Sequence, residues 1–163
     1  MIENMQYMGT ITVNLLKQNP ETGEWYKAIT RKQKNVLLNV GKDYLIQRIM
    51  DDGANVVSGT ACQVFTVGTS ASAGAAAATD TTATDVEIGR ATFTYASGST
   101  RGQCSATATF DTGTAVGNIT EAGIYAGVVG TSGDGVFFAR VLFTAVNKNT
   151  EDRLQIKWDV SFS

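Results

Sequence analysis

The last strand-like run of the chain, residues 153–162, constrains the fold more than any other stretch. Its apolar and polar residues alternate strictly, and the apolar positions are Leu154, Ile156, Trp158, Val160 and Phe162. Because successive side chains of a β-strand point to opposite faces, one face of this run is buried and the other meets water. The preceding run, residues 136–144, offers a second inward row. The sequence therefore predicts a C-terminal antiparallel hairpin whose apolar face the rest of the chain must cover.

A second hairpin is predicted over residues 9–31. Residues 9–17 alternate and are followed by a turn at residues 19–23 that contains Pro20 and Gly23. Proline presets φ and glycine tolerates positive φ, so this composition is typical of a reversal between two strands.

Between the two hairpins the sequence predicts one helix and four further strands. The helix covers residues 39–52, with Asn39 as its N-cap and Gly53 at its C-terminal stop. The four strands cover residues 61–68, 91–95, 103–110 and 119–126. We therefore predict an all-β fold in a single domain, residues 1–163, with its body at 61–163. The expected architecture is an eight-stranded antiparallel β-sandwich, jelly-roll-like, with one short helix between strands 2 and 3.

Residues 69–85 consist almost wholly of Ala, Thr, Ser, Gly and Asp. This composition predicts an extended loop rather than a helix. Long loops in compact domains are usually functional or disordered. Two interpretations stay open: small side chains that lie flat against another subunit, or simple flexibility.

The composition argues against catalysis. The chain has no histidine, which removes the commonest general base and the commonest metal ligand. Around Gly68 the spacings of a nucleophile elbow and of a phosphate loop are both incomplete. The neighbouring acids Asp80, Asp85 and Glu87 are interpreted as solvated loop residues. We expect no catalytic residue, no cofactor and no metal.

The overall charge is small, with 13 basic and 15 acidic residues and a net charge of −2. No general attraction to nucleic acid or to an acidic membrane is expected. No apolar run has membrane-spanning length and no signal peptide is visible, so synthesis in the cytoplasm is expected. Cys62 and Cys104 lie in strand-like runs and are predicted to be free thiols, with a cross-strand disulfide as the alternative.

Three charged residues lie in or beside strongly apolar strands: Arg90, Glu121 and Arg140. If two of them meet across a sheet, they form a partly enclosed ion pair that fixes the register more than it adds stability.

The N-terminal hairpin carries the candidates for an interface or a ligand site. Trp25 and Tyr26 are adjacent in a strand, so one of them must face outward. The outward residue either contacts a ligand or packs under the helix or against another subunit. The basic stretch that follows includes Arg31, Lys32 and Lys34. It is interpreted as a contact with an acidic partner surface or nucleic acid, or as a solvated connection.

Several motifs, in order and spacing, resemble a set of tailed-bacteriophage virion proteins. They are Leu38-Asn39-Val40-Gly41-Lys42-Asp43-Tyr44-Leu45-Ile46, Val67-Gly68-Thr69-Ser70, Thr81 to Arg90, Ile119-Thr120-Glu121-Ala122-Gly123-Ile124-Tyr125, Phe138-Ala139-Arg140-Val141 and Ile156-Lys157-Trp158-Asp159-Val160-Ser161-Phe162. The similarity covers about residues 36–163 and does not include the hairpin 9–31.

The resemblance implies a small structural module of a head, neck, tail or fibre. We therefore expect a non-enzymatic virion protein, made in the host bacterial cytoplasm, that docks as an oligomer on the capsid, collar or tail. Its expected partners are copies of itself, as a trimer or larger ring, and other virion proteins. The alternative function is a carbohydrate- or receptor-binding module of a tail fibre or baseplate, for which Trp25 and Tyr26 are the candidate contacts.

Overall fold

The computed structural model describes residues 7–50, 62–70, 76–79, 86–98, 100, 102–126 and 136–162. These residues form one α-helix and ten β-strands. The strands are β1 (Tyr7–Gln18), β2 (Trp25–Lys34), β3 (Val36–Leu37), β4 (Cys62–Thr69), β5 (Val86–Thr92), β6 (Thr94–Ser97), β7 (Gln103–Phe110), β8 (Gly117–Ala126), β9 (Val136–Lys148) and β10 (Arg153–Phe162). The helix, α1, spans Asn39–Met50.

The strands form two antiparallel five-stranded sheets. The first sheet has the order β2-β1-β10-β7-β6 and the second has the order β3-β9-β8-β4-β5. The prediction of an all-β, sandwich-like fold is therefore confirmed. The pairs β1/β2, β4/β5, β6/β7 and β8/β9 are each consecutive in the chain and adjacent in one sheet.

The predicted eight-stranded jelly roll is not confirmed, because the described residues contain ten strands. The run 91–95, predicted as one strand, is divided at Phe93 between the end of β5 and the start of β6, and these strands belong to different sheets. In addition, Val36 and Leu37 pair with Arg140 and Ala139 as the short strand β3. The alternation of apolar and polar residues continues through residues 91–95, so it cannot show that the chain passes from one sheet to the other within this run.

The predicted C-terminal hairpin is wrong, although both of its runs are strands. β9 pairs with β8 and β3 in the second sheet, whereas β10 pairs with β1 and β7 in the first. The turn between them, near Asn149–Asp152, carries the chain from one sheet to the other. Alternation of apolar and polar residues shows which face of a strand is buried, but it does not show which strand lies beside it.

The N-terminal hairpin is observed as predicted. β1 and β2 pair antiparallel from Thr10/Lys34 to Gln18/Trp25, with a register shift beside Leu15. At the turn the Asn19 side chain accepts hydrogen bonds from the backbone N–H of Glu21 and of Thr22, and Gly23 has a φ of 72°.

The hydrophobic core lies between the two sheets. Trp158 of β10 is fully buried, and its ring centroid lies 5.7 Å from that of Phe65 of β4 in the opposite sheet. One cluster of buried residues includes Val13 of β1, Val141 of β9 and Ile156 of β10, so it joins both sheets. The alternation of residues 153–162 predicted five inward residues. Leu154, Ile156 and Trp158 are buried in this cluster, Val160 is partly buried against it, and Phe162 is partly buried.

The helix packs on the second sheet and covers a smaller apolar cluster. This cluster contains Leu38, Val64, Tyr125 and Phe137, with Val40 packed against it. The helix begins at Asn39, as predicted, and is described to Met50; residues 51 and 52 of the prediction lie outside the described residues. Because β3 precedes it, the helix lies between the third and fourth strands rather than between the second and third.

Candidate functional site

Two of the three charged candidates meet in the second sheet. Glu121 of β8 is fully buried and Arg140 of β9 is 8% exposed. The Arg140 guanidinium donates through Nε to Glu121 Oε1 at 2.5 Å and through Nη2 to Oε2 at 3.1 Å. Arg140 lies directly opposite Gly123, so the pair runs diagonally between adjacent strands. This two-point geometry is the strong form of the arginine–carboxylate interaction.

Arg90 pairs with another carboxylate in the same region. Its Nε donates to Glu87 Oε1 at 2.5 Å and its Nη2 to Oε2 at 2.9 Å. The guanidinium also lies 4.6 Å from the ring centroid of Tyr125, within the range of a cation–π contact. The hydrogen bond with Glu87 raises the pKa of Arg90, against the opposing effect of burial.

The two arginines lie in one cross-strand row. Arg90 is opposite Thr66, Thr66 is opposite Gly123, and Gly123 is opposite Arg140. Each arginine is matched by its own glutamate, so the row has no surplus charge for a ligand. The hydroxyl of Thr66 is buried and has no hydrogen-bond partner within the described part of the chain. The arrangement is suited to holding β5, β4, β8 and β9 in register.

The two adjacent aromatic candidates have different environments. Trp25 is partly buried, and the Arg153 guanidinium lies 4.3 Å from the centroid of its ring. Arg153 in turn lies 3.0 Å from a carboxylate oxygen of Asp111. Tyr26 is 51% exposed and is the more accessible of the two, although the register places Trp25, with Arg153, on the outer face of the first sheet. Trp25 therefore packs against its own molecule, and Tyr26 is accessible.

Tyr26 borders two hollows at one end of the molecule. The larger, about 510 Å³, lies between the β1–β2 turn and the β9–β10 turn and includes Lys17, Gln18 and the backbone and side chains of residues 149–152. The smaller, about 450 Å³, lies beside Asn19, Pro20 and Glu21. Sequence reasoning found Tyr26 but not the facing turn, because the two turns are about 125 residues apart in the chain.

The basic stretch is part of a strand and not a connecting segment. Arg31, Lys32 and Lys34 lie on β2, at the edge of the first sheet. Lys32 and Lys34 are exposed and Arg31 is partly buried. Charged side chains on an edge strand hinder pairing with another strand, so this edge is protected.

The outer face of the first sheet carries rows of polar side chains. One row runs Thr30, Asn14, Gln155 and Thr109, and the next runs Lys32, Thr12, Lys157, Thr107 and Thr94. In the first of these rows the Thr30 hydroxyl donates to Asn14 Oδ1 at 2.9 Å, and Asn14 Nδ2 donates to Gln155 Oε1 at 3.4 Å. The sequence predicted alternation in these strands but not the alignment of hydroxyls and amides across them.

Asp159 anchors a third row on this face. The Ser105 hydroxyl donates to its carboxylate, and Lys157 Nζ lies 2.9 Å from Oδ1. Burial raises the pKa of Asp159, but the hydrogen bonds from Ser105 and Lys157 outweigh it, and the pKa lies below its usual value. The carboxylate is therefore held ionised by its neighbours, as in a structural contact.

Lys148, at the end of β9, is a buried cation that sequence reasoning missed. Its side chain is 1% exposed, and its Nζ donates to the carbonyl oxygens of Asp111 and Thr114 at 2.9 and 2.8 Å. Burial lowers the pKa of Lys148. The side chain ties the loop after β7 to the end of β9. Because Lys148 stands next to Asn147 in a polar run, the sequence predicts a solvated turn here. Nothing in the neighbouring residues indicates that Lys148 is buried.

Cys104 carries a free thiol, so the alternative of a disulfide with Cys62 is wrong. Burial, with the nearby charge of Asp159, raises the pKa of the Cys104 thiol. A raised pKa keeps the thiol protonated and poorly reactive. Cys104 is therefore a structural residue.

No family model, curated protein or solved structure matches this chain. Within the described ranges, no group of three or more Cys, Asp or Glu side chains is arranged to hold a metal ion. Among the same residues, no helix combines the length and the apolar character that a membrane crossing needs.

Proposed function

We propose that this protein is a non-enzymatic structural component of a bacteriophage virion that docks as an oligomer on the capsid, collar or tail. Its partners are copies of itself, in a trimer or larger ring, and other virion proteins. The proposal rests on the family resemblance of residues 36–163 and on one structural observation, the outer face of the first sheet.

That face supports extensive contact between subunits. Threonine and asparagine side chains lie between Lys32, Gln155 and Lys157 on adjacent strands, so a partner can contact several strands at once. Lys157 and Asp159 provide one charge of each sign near its centre, and the hydroxyls and amides around them both donate and accept hydrogen bonds. Such a surface suits repeated contacts between identical subunits with closed symmetry.

The buried polar contacts also suit a durable particle component. The ion pair of Glu121 with Arg140 and the clamp made by Lys148 restrain strands and a loop without presenting a reactive group. Each charge is used in a contact within the fold.

Light scattering during size-exclusion chromatography tests the assembly. We expect a mass at least three times that of one chain. Thr12→Arg places a third long cation between Lys32 and Lys157 and should reduce the mass to that of a monomer. Thr22→Arg, in the exposed β1–β2 turn, is the matched control and should leave the oligomer intact.

A wild-type protein that remains monomeric at high concentration would contradict self-assembly. If the Thr12→Arg protein is still an oligomer, the contact between subunits does not lie on the outer face of the first sheet. Circular dichroism of each variant distinguishes loss of assembly from loss of folding.

A further inference from the structure

The cleft around Tyr26 is a concave surface that the assembly role does not use. It lies at the end of the molecule formed by the β1–β2 and β9–β10 turns. Its two hollows, about 510 and 450 Å³, share Tyr26 and Pro20. Each volume falls in the range of small-molecule sites, about 300–1,000 Å³. Tyr26 therefore borders two spaces that are each large enough for a small ligand.

Both walls of the cleft are held by hydrogen bonds. On one side the N–H of Asn19 donates to the carbonyl of Glu24 at 2.8 Å, and Gln18 Nε2 donates to the carbonyl of Gly23 at 2.8 Å. On the other side the N–H of Asn149 donates to Asp152 Oδ2 at 2.9 Å. A site whose walls are already fixed loses less conformational entropy when a ligand binds.

A third contact fixes the second wall to the rest of the fold. The N–H of Gly113 donates to the carbonyl of Thr150 at 2.7 Å, so the loop after β7 holds the β9–β10 turn in place. The same loop is tied to Lys148 through the carbonyls of Asp111 and Thr114. The cleft is therefore supported by buried groups.

The charges around the cleft select against a charged ligand. Lys17 lies directly opposite Tyr26 in the β1–β2 pair, so a cation over the ring would meet its ammonium group. Glu21 borders the smaller hollow, and Glu151 and Asp152 border the larger, so an anion would meet a carboxylate in either. Because charges of both signs lie close together, the cleft is best suited to a neutral ligand that is rich in hydrogen-bonding groups.

We propose that this cleft binds a neutral saccharide whose ring stacks on Tyr26. The C–H groups of a sugar face carry partial positive charge and complement the negative face of an aromatic ring. Sugar hydroxyls donate and accept hydrogen bonds, as do the amide and hydroxyl side chains of Gln18, Asn149 and Thr150. This binding is independent of the assembly proposed above, because the cleft and the outer face of the first sheet are different surfaces.

A titration followed by amide chemical shifts tests the proposal on the intact protein. The probes are the methyl glycosides of glucose, galactose, mannose and N-acetylglucosamine. We expect at least one of them to shift the amides of residues 18, 26 and 149–152, with a Kd on the order of 1 mM, as is typical of a small ligand held by few contacts. Choline and inorganic phosphate, as cationic and anionic probes, should produce no such shifts.

Variants then test the stacking contact. Tyr26→Ala should weaken binding at least tenfold, and Tyr26→Phe should retain affinity within about twofold, because the ring and not the hydroxyl supplies the contact. Tyr95→Ala is the matched control, since Tyr95 is a strand tyrosine that is 65% exposed and is not among the residues around the cleft. Its affinity should equal that of the wild type.

Several outcomes would overturn the proposal. These are no shift with any of the four glycosides, unchanged affinity in Tyr26→Ala, or binding of choline or phosphate in preference to the sugars. If Tyr26→Ala fails to fold, Thr150→Arg replaces it, because that side chain fills the larger hollow from the opposite wall. Retained affinity in a folded Thr150→Arg would also overturn the proposal.

Discussion

At the scale of single residues, the pair of Glu121 and Arg140 is the contact on which the second sheet depends most. Both charges have left water, and each has its main compensation in the other. A buried ion pair adds little stability relative to an apolar pair of the same volume, whereas removal of one partner leaves an uncompensated charge. The main contribution of the pair is that it favours the observed register between β8 and β9.

Glu121→Ala should therefore lower the free energy of unfolding by about 3–5 kcal/mol, because Arg140 loses its buried carboxylate. Urea denaturation followed by circular dichroism measures the change. Glu151→Ala, which removes an exposed glutamate, is the control and should change stability by about 0.5 kcal/mol or less.

The double variant Glu121→Leu with Arg140→Leu refines this prediction. Since both charges are then absent, it should be less destabilised than Glu121→Ala. If Glu121→Ala unfolds at the same urea concentration as the parent, the pair does not hold the sheet and this account of its role is wrong.

At the scale of elements, the position of α1 depends on a close backbone contact. A Cβ built on Gly41 would lie 2.2 Å from the carbonyl oxygen of Phe138 in β9. The N–H of Leu38 also donates to that oxygen, at 3.1 Å. Glycine at position 41 lets the first turn of the helix lie directly on the strand, over the cluster that contains Val64 and Phe137.

This contact reverses the usual effect of a helix substitution. Glycine to alanine inside a helix normally stabilises by about 0.5–1 kcal/mol. Gly41→Ala should instead destabilise the protein by about 1–3 kcal/mol, the cost typical of overpacking, because the helix must move away from β9.

Chemical denaturation gives the sign of the change, and amide hydrogen exchange in residues 39–43 shows whether the helix start has loosened. Asp43→Ala, at an exposed position on the same helix, is the control and should have little effect. A stabilised Gly41→Ala protein would mean that the helix is not seated against the Phe138 carbonyl.

At the scale of the whole molecule, both sheets share one core. The first described strand, β1, pairs with the last, β10, over ten residues, and Trp158 of β10 packs against Phe65 of the opposite sheet. Because the main buried cluster is built from residues of both sheets, neither sheet retains it when they separate. Folding and the docking of the two sheets are therefore one event.

The expected consequence is a single cooperative unfolding transition. In a Trp25→Phe protein, fluorescence reports Trp158 alone, since the chain has two tryptophans. The fluorescence transition should coincide with that of far-ultraviolet circular dichroism, which reports the strands of both sheets. Separate midpoints would show that one sheet survives the loss of the other, contrary to the shared core.

Much of the local structure could be predicted from the sequence. The alternation of residues 153–162 identified a strand and its buried row, and Pro20 with Gly23 located the first turn. Asn39 located the start of the helix. These signals are local: strand faces, turns and caps depend on residues within a few positions of one another.

The candidate site was predicted in part for the same reason. That one of Trp25 and Tyr26 must face outward follows from the geometry of a strand. Which of them is the more accessible depends on Arg153, whose side chain lies over the Trp25 ring. The partner of Glu121 was likewise one of two arginines, until the strand order brought Arg140 beside it; Arg90 pairs with Glu87 of its own strand.

By itself, the amino-acid sequence determined that the chain is built of strands, which residues of its last strand face inward, and where its first turn lies. Only the tertiary structure decided that β9 and β10 belong to different sheets, that Phe93 divides two strands, that Lys148 is buried and that two distant turns enclose Tyr26. The reason is physical: each strand can pair through either edge with many others, and that choice is made by the packing of the whole core.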